Sequence, residues 1–167
     1  MNKTRPLNSR LETGLTLLEL MAVVAIVAIM ATIAIPSFSE IVKNNRVASQ
    51  HNELLALILF AKSEAVRRSS DIDVILASQT GGWGAEVKAG DETLRSTANT
   101  RVELLLGGQD LEFGFNSRGY LGSAGDLGAR QSFTLRHVDC TPDSERQRRT
   151  ITIFPSGQLV SEEETCP

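Results

Sequence analysis

Twenty-one consecutive residues, Leu15 to Ile35 (LTLLELMAVVAIVAIMATIAI), carry a single charged side chain, Glu19. Wound as an α-helix, this run reaches roughly 31 Å, enough to cross the hydrocarbon core of a bilayer. Of the 132 residues beyond it, roughly 100 remain for a globular domain, which can bury one modest core and not two. A basic stretch before an apolar run is also the pattern of a cleaved secretory signal, and Thr32-Ile33-Ala34 offers a small-x-small site. The run, however, is longer than the usual apolar region of about 7–15 residues, and an acid inside it does nothing for insertion. A plain single-span anchor explains the length but not the carboxylate. An acid near the bilayer interior costs about 2.5–3.5 kcal/mol, so Glu19 calls for a partner.

The residues around this run differ sharply from it. Residues 1–14 (MNKTRPLNSRLETG) are polar and basic and stop at a glycine. Pro36 closes the run; it lacks an N–H and its ring displaces the carbonyl four residues back, so a kink is expected there. Beyond it the pattern stays helical, without glycine or proline, to the double serine Ser69-Ser70. That predicts a helix ending near Arg68. Its outer half is amphipathic: Glu40, Lys43, Asn44, Arg46, Gln50 and Glu53 are polar, whereas Leu54, Leu55, Leu57, Ile58, Leu59 and Phe60 form an apolar block that a domain must cover. After Ser70 the period shortens to strand-like runs at 73–77, 84–88, 101–106, 111–115, 131–137, 150–154 and 158–160, punctuated by glycine-rich turns. Alternation is clearest in Ser132-Phe133-Thr134-Leu135-Arg136 and Thr150-Ile151-Thr152-Ile153, as in half-exposed antiparallel strands.

Net charge is −3 at pH 7, and losing residues 1–14 would make it more negative, because Lys3, Arg5 and Arg10 would leave with only Glu12. A global nucleic-acid footprint is missing. Cys140 and Cys166 either form a disulfide, which requires an oxidising compartment, or remain two reduced core thiols. No further Cys or His completes a metal set, and no cofactor is called for. The two histidines, His51 and His137, have no nucleophile or acid at motif spacing; on strand spacing His137 and Cys140 face opposite sides. Catalysis is not expected.

Gly14-Leu15-Thr16-Leu17-Leu18-Glu19-Leu20, followed by an apolar helix and Pro36, resembles the signature of class III prepilins, the substrates of prepilin peptidase. The resemblance implies cleavage between Gly14 and Leu15, N-methylation of Leu15, and a role for Glu19 in assembly, pairing with the N-terminus of an adjacent subunit. Phenylalanine is the commoner first mature residue, so Leu15 is a small departure. The physics agrees: a free amine on Leu15 and a carboxylate one helical turn on are each costly in an apolar setting, and pairing compensates both. Alanines 22, 25, 28, 31 and 34 recur every third residue, either a ridge for close helix packing or ordinary membrane alanine usage.

The rest of the chain is similar to the GspH/FimT group of minor pilins and pseudopilins, through Ala61-Lys62-Ser63-Glu64-Ala65-Val66-Arg67-Arg68, Gly82-Trp83-Gly84, Phe113-Gly114-Phe115-Asn116-Ser117-Arg118-Gly119 and Ser156-Gly157. This implies an α+β, type IV pilin-like fold, a long spine helix packed on a small antiparallel β-sheet domain. The layout expected is a leader (1–14), a transmembrane and assembly helix (15–36), its amphipathic continuation (37–70) and a periplasmic β-rich domain (71–167). Trp83 and phenylalanines 113, 115, 133 and 154 are expected in the core. The implied function is a priming or tip subunit of a type IV pilus, with a minor pseudopilin of a type II secretion system as the alternative. Its partners would be other pilins or pseudopilins, prepilin peptidase and an inner-membrane assembly platform. Its location would be the bacterial inner membrane, single-pass with a periplasmic C-terminal domain, then the filament.

Some competence-linked members of this group bind DNA through a C-terminal G-R-x-R motif. Here the sequence reads Gly157-Gln158-Leu159-Val160 with Glu162-Glu163-Glu164 following, which would repel phosphate. The nearest basic cluster, Arg146-Gln147-Arg148-Arg149, ahead of the strand at Thr150, is either a candidate anion patch or a solvated loop. Related minor pilins often carry a C-terminal disulfide, which favours a Cys140–Cys166 bridge.

Overall fold

A computed structural model of the protein describes residues 16–105, 110–122, 128–142 and 146–166. The chain falls into two compact units, residues 1–38 and 39–167. Helix α1, Leu17–Arg68, runs through both. At its start, Thr16 Oγ1 accepts the Glu19 N–H at 3.2 Å, satisfying one of the four donors that a helix N-terminus leaves orphaned. At its end, the Ser69 N–H donates to the Val66 carbonyl and the Ser70 N–H to the Ala65 carbonyl. This is a Schellman cap, in which Ser69 takes the left-handed position, φ 54°, more often given to glycine. The stop at Arg68 agrees with the sequence.

Within the second unit the helix buries Val47, Gln50, His51, Leu54, Leu57, Ile58, Ala61, Glu64 and Ala65, spaced three and four apart as one face of a helix requires. The apolar block read from the sequence is therefore only partly covered. Leu59 points away and remains 48% exposed, because its position falls on the opposite face.

Among the described residues eight strands follow: β1 Ile72–Gln79, β2 Gly82–Ala89, β3 Glu92–Thr100, β4 Val102–Leu105, β5 Leu111–Phe115, β6 Gln131–His137, β7 Arg148–Ile153 and β8 Leu159–Glu164. They form two four-stranded sheets, β3-β2-β1-β5 and β4-β6-β7-β8, with every pairing antiparallel. Inward side chains of both sheets join the α1 face in one core containing Trp83, Phe113, Phe115, Phe133, Leu135, Ile151 and Ile153. Phe154, expected there, is only half-buried, since β7 ends one residue earlier.

The spine is tied to both sheets by polar contacts. Gln50 accepts the Trp83 indole N–H at 2.9 Å and donates to the Thr100 carbonyl at 3.0 Å, so the amide is used at both ends, as burial demands. Glu53 accepts from Thr97 and Asn99. His51 Nε2 lies 2.8 Å from Ser161 Oγ. Lys62 Nζ donates to the Gly157 carbonyl at 2.7 Å. Gly157 has φ 73°, and a Cβ there would collide with the Gly119 carbonyl, so this turn takes glycine for both reasons.

Candidate functional site

The residues expected to act fall in two places. Gly14 and Leu15 lie outside the described residues. Glu19 is in the first turn of α1, where a negative charge complements the helix dipole. Thr16-Leu17-Leu18-Glu19 also has the spacing of a capping box, and the Thr16 half of that exchange is made. Thr16 was not singled out from the sequence, although this four-residue pattern would have found it. Along Leu17–Phe38 the large apolar side chains that are described are exposed, among them Leu17, Leu18, Met21, Ile29, Met30 and Phe38. Ala22, Ala25 and Ala28 are exposed with them. Among the described residues no single helix meets the length and hydropathy of a membrane span, and the test is passed only by Leu17–Thr32 and Ser37–Arg68 taken together. Pro36 is an α1 position; the kink expected there lies outside what is described.

In the second unit, Cys140 and Cys166 are joined, with Cα atoms 5.8 Å apart. The bridge fastens the end of the chain beside the turn that follows β6. It also removes Cys140 as a thiol nucleophile. His51 and Ser161 form a serine–histidine contact that has no signature in the sequence. The ring is 2% exposed and its other nitrogen faces the side chain of the neighbouring helical residue Asn52 at 3.3 Å, so the pair clamps β8 to the spine.

The basic cluster is not a free loop. Arg148 and Arg149 lie in β7, directly opposite Glu164 and Glu163 of β8, and pair with them at 3.0 and 2.5 Å. Arg146 also reaches Glu163, at 3.7 Å. The acidic run expected to repel phosphate instead neutralises the arginines offered for it. The reason is register: the strand begins at Arg148 rather than Thr150, and the antiparallel return brings the two runs together.

Glu64, in the last turns of α1, is gripped by Arg67 at 2.8 Å and Arg68 at 2.9 Å. These hydrogen bonds hold its carboxyl at about 2, against an ordinary 4.5. Burial pushes His51 and His137 below the ordinary histidine value. All three shifts favour the deprotonated form in the folded state, so all three contributions weaken on acidification. The histidine part is complete above pH 6.5 and is lost as the pH falls below it. The Glu64 part is complete above 4.5 and is lost down to about 2. Thermal unfolding followed from pH 7 to pH 2 should show both declines, and Glu64→Gln should flatten only the lower one.

Residues 50–158 match the family described as type II transport protein GspH. The chain belongs to that family. The match begins at Gln50, the residue that joins the spine to Trp83, and ends at the closing turn, so it covers β1 to β7 and the stretch of α1 from Gln50 onward. The GspH-family chain also shares its fold with two crystal forms of the type IV minor pilin FimU of Pseudomonas aeruginosa. One, in space group P65, has 21% identity and a TM-score of 0.54 over 72% of this chain and 96% of that one. The other, in space group P21, has 20% identity and a TM-score of 0.55 over 74% and 93%. No curated protein matches. The expected type IV pilin-like architecture is thus the observed one, and the GspH family and this fold are structural rather than enzymatic in kind.

Proposed function

We propose that this chain is a structural minor pilin of a type IV pilus, a priming or tip subunit made as a prepilin. Prepilin peptidase cuts after Gly14, Leu15 becomes the N-methylated N-terminus, and Glu19 directs assembly with other pilins on an inner-membrane platform. The observation that carries this is the unequal covering of one helix. Its first half leaves apolar side chains exposed around a single acid, while its second half is sunk in a β-domain. Exposed apolar surface on this scale needs lipid or neighbouring helices around it. A leader of residues 1–14, a span over 15–36, a spine continuation over 37–70 and a periplasmic domain over 71–167 fit that division, and a disulfide suits the periplasm.

The GspH family's own description favours a second reading, a minor pseudopilin of a type II secretion system. Loss of surface pili and twitching on deletion would support the pilus; loss of exoprotein secretion would support the secretion machine. Both readings require the same processing. Intact mass and N-terminal sequencing of the chain from its native membrane should show a start at Leu15 with one added methyl group. A chain retaining residues 1–14 in cells with active peptidase, or cut after Ala34, would overturn both.

A further inference from the structure

An open hollow of about 320 Å³ in the second unit is lined by Val42, Lys43, Arg46, Arg101, His137 and Asp139. Three cations converge on it from two parts of the fold. Lys43 and Arg46 come from α1, and Arg101 from the residue before β4. The Arg101 backbone is pinned from both sides: its N–H donates to the Gly81 carbonyl at 2.6 Å, and its own carbonyl accepts the Val138 N–H at 3.2 Å. Its φ is 65°, a left-handed conformation that glycine adopts without strain and arginine does not. The backbone thus gives no reason for a long side chain here.

The cations of this hollow are paired differently from those on the strands. Arg136, Arg148 and Arg149 each meet a carboxylate across a strand pair. Among the described residues neither Arg46 nor Arg101 is in an ion pair, while Lys43 keeps Glu40 at 3.1 Å. The acid in the lining, Asp139, has a largely exposed side chain 3.9 Å from His137 Nδ1. The same Nδ1 accepts the Asp139 N–H at 3.1 Å, which leaves any ring proton on Nε2 and the imidazole neutral.

We propose that Lys43, Arg46 and Arg101 hold the phosphodiester of an anionic phospholipid headgroup, seating the base of the β-domain on the membrane surface before assembly. This rests on the reading of residues 15–36 as membrane-inserted. Two guanidinium forks and an ammonium suit a phosphate's oxygens. Lys43 and Arg46 follow Pro36 by only seven and ten residues in sequence, just beyond the segment read as the span, and their long side chains suit a headgroup layer. Basic residues just outside a span attract anionic lipid. A hollow of this size, flanked by Glu40 and Asp139, admits one phosphate rather than a nucleic-acid backbone track.

The test uses the full chain in a neutral detergent and native mass spectrometry with equimolar short-chain phosphatidylglycerol and phosphatidylcholine. Wild type should retain phosphatidylglycerol preferentially. Arg46→Gln and Arg101→Gly should each lower that preference about fivefold, and the double variant about 25-fold. Arg101→Gly suits the left-handed backbone, so an unchanged or raised melting temperature with lost preference excludes unfolding as the cause. Equal retention of both lipids, or a preference that survives the double variant, would overturn the proposal. So would complete displacement by inorganic phosphate at matched concentration, which would make the site one for free phosphate, or arginine-dependent retention of duplex DNA in place of lipid. Resistance of the chain to carbonate extraction reports membrane insertion separately: extraction with carbonate sinks the anchoring reading, whereas loss of lipid preference in an inserted chain sinks only the headgroup site.

Discussion

Glu19→Ala chains should accumulate in the inner membrane at the wild-type level and be depleted at least about tenfold from sheared filaments. The expectation follows from the cost of a lone charge in an apolar setting. An N-terminal amine at Leu15 would be compensated by the Glu19 carboxylate, within a subunit or between neighbours, and the alanine variant would leave that amine without its partner. The membrane pool should not fall, because removing an acid makes insertion easier. The structure supplies a competing role for the same side chain. Glu19 occupies the capping-box position three residues after Thr16, where Gln serves nearly as well as Glu. Glu19→Gln therefore separates the two roles. If charge pairing governs assembly, the glutamine variant is lost from filaments like the alanine one. Recovery of either variant in filaments at the wild-type level would end the pairing role, and rescue by glutamine alone would assign Glu19 to starting the helix.

Cys140→Ser with Cys166→Ser should lower the unfolding free energy of the β-domain by about 3–4 kcal/mol, the chain-entropy value for a bridge across this separation. The residues are 26 apart in sequence, and the loop contains β7, β8 and their turn. Much of the loop is held independently by ladder hydrogen bonds and by the Arg148–Glu164 and Arg149–Glu163 pairs. The loss should therefore appear as a lower melting temperature rather than as a different fold. Chemical denaturation of wild type and double variant measures it directly. A difference below about 1 kcal/mol would mean that β8 is held mainly by its pairing with β7 and by the His51–Ser161 clamp.

The sequence was most legible where one side of an element is apolar. The end of α1 is readable because Ser69-Ser70 breaks an uninterrupted helical pattern, and the limits of β5 and β6 coincide with the strand-like runs at 111–115 and 131–137, which turn residues bound. β3 was missed. Its sequence, Glu92 to Thr100, has Leu94 as its one large apolar residue; it is an edge strand, and the side chains it turns toward α1 include Thr97 and Asn99, which meet Glu53. A strand whose inner face is polar leaves no hydrophobic period to detect. The division into two sheets was hidden for a different reason. Register across distant segments decides it, and local pattern does not record register. The basic cluster failed in the same way, since the glutamates that neutralise it arrive through the β7–β8 pairing. The hollow around Arg101 joins residues 39 to 46 with residues 101 and 137 to 139, a juxtaposition only the fold makes. The left-handed backbone at Arg101 has no signature in the residues around it.

The contacts between α1 and the sheets have a mechanical consequence. From Glu40, which accepts from Gln147, to Arg68, which reaches Glu92, they are distributed along about 42 Å of helix, with those of Gln50, His51, Glu53 and Lys62 in between. A pull along the helix axis would load these fastenings side by side, as in a lap joint, rather than peeling them one after another. Rupture would then require many bonds to yield together. A subunit built this way can carry tension through its spine while the domain riding on it stays folded.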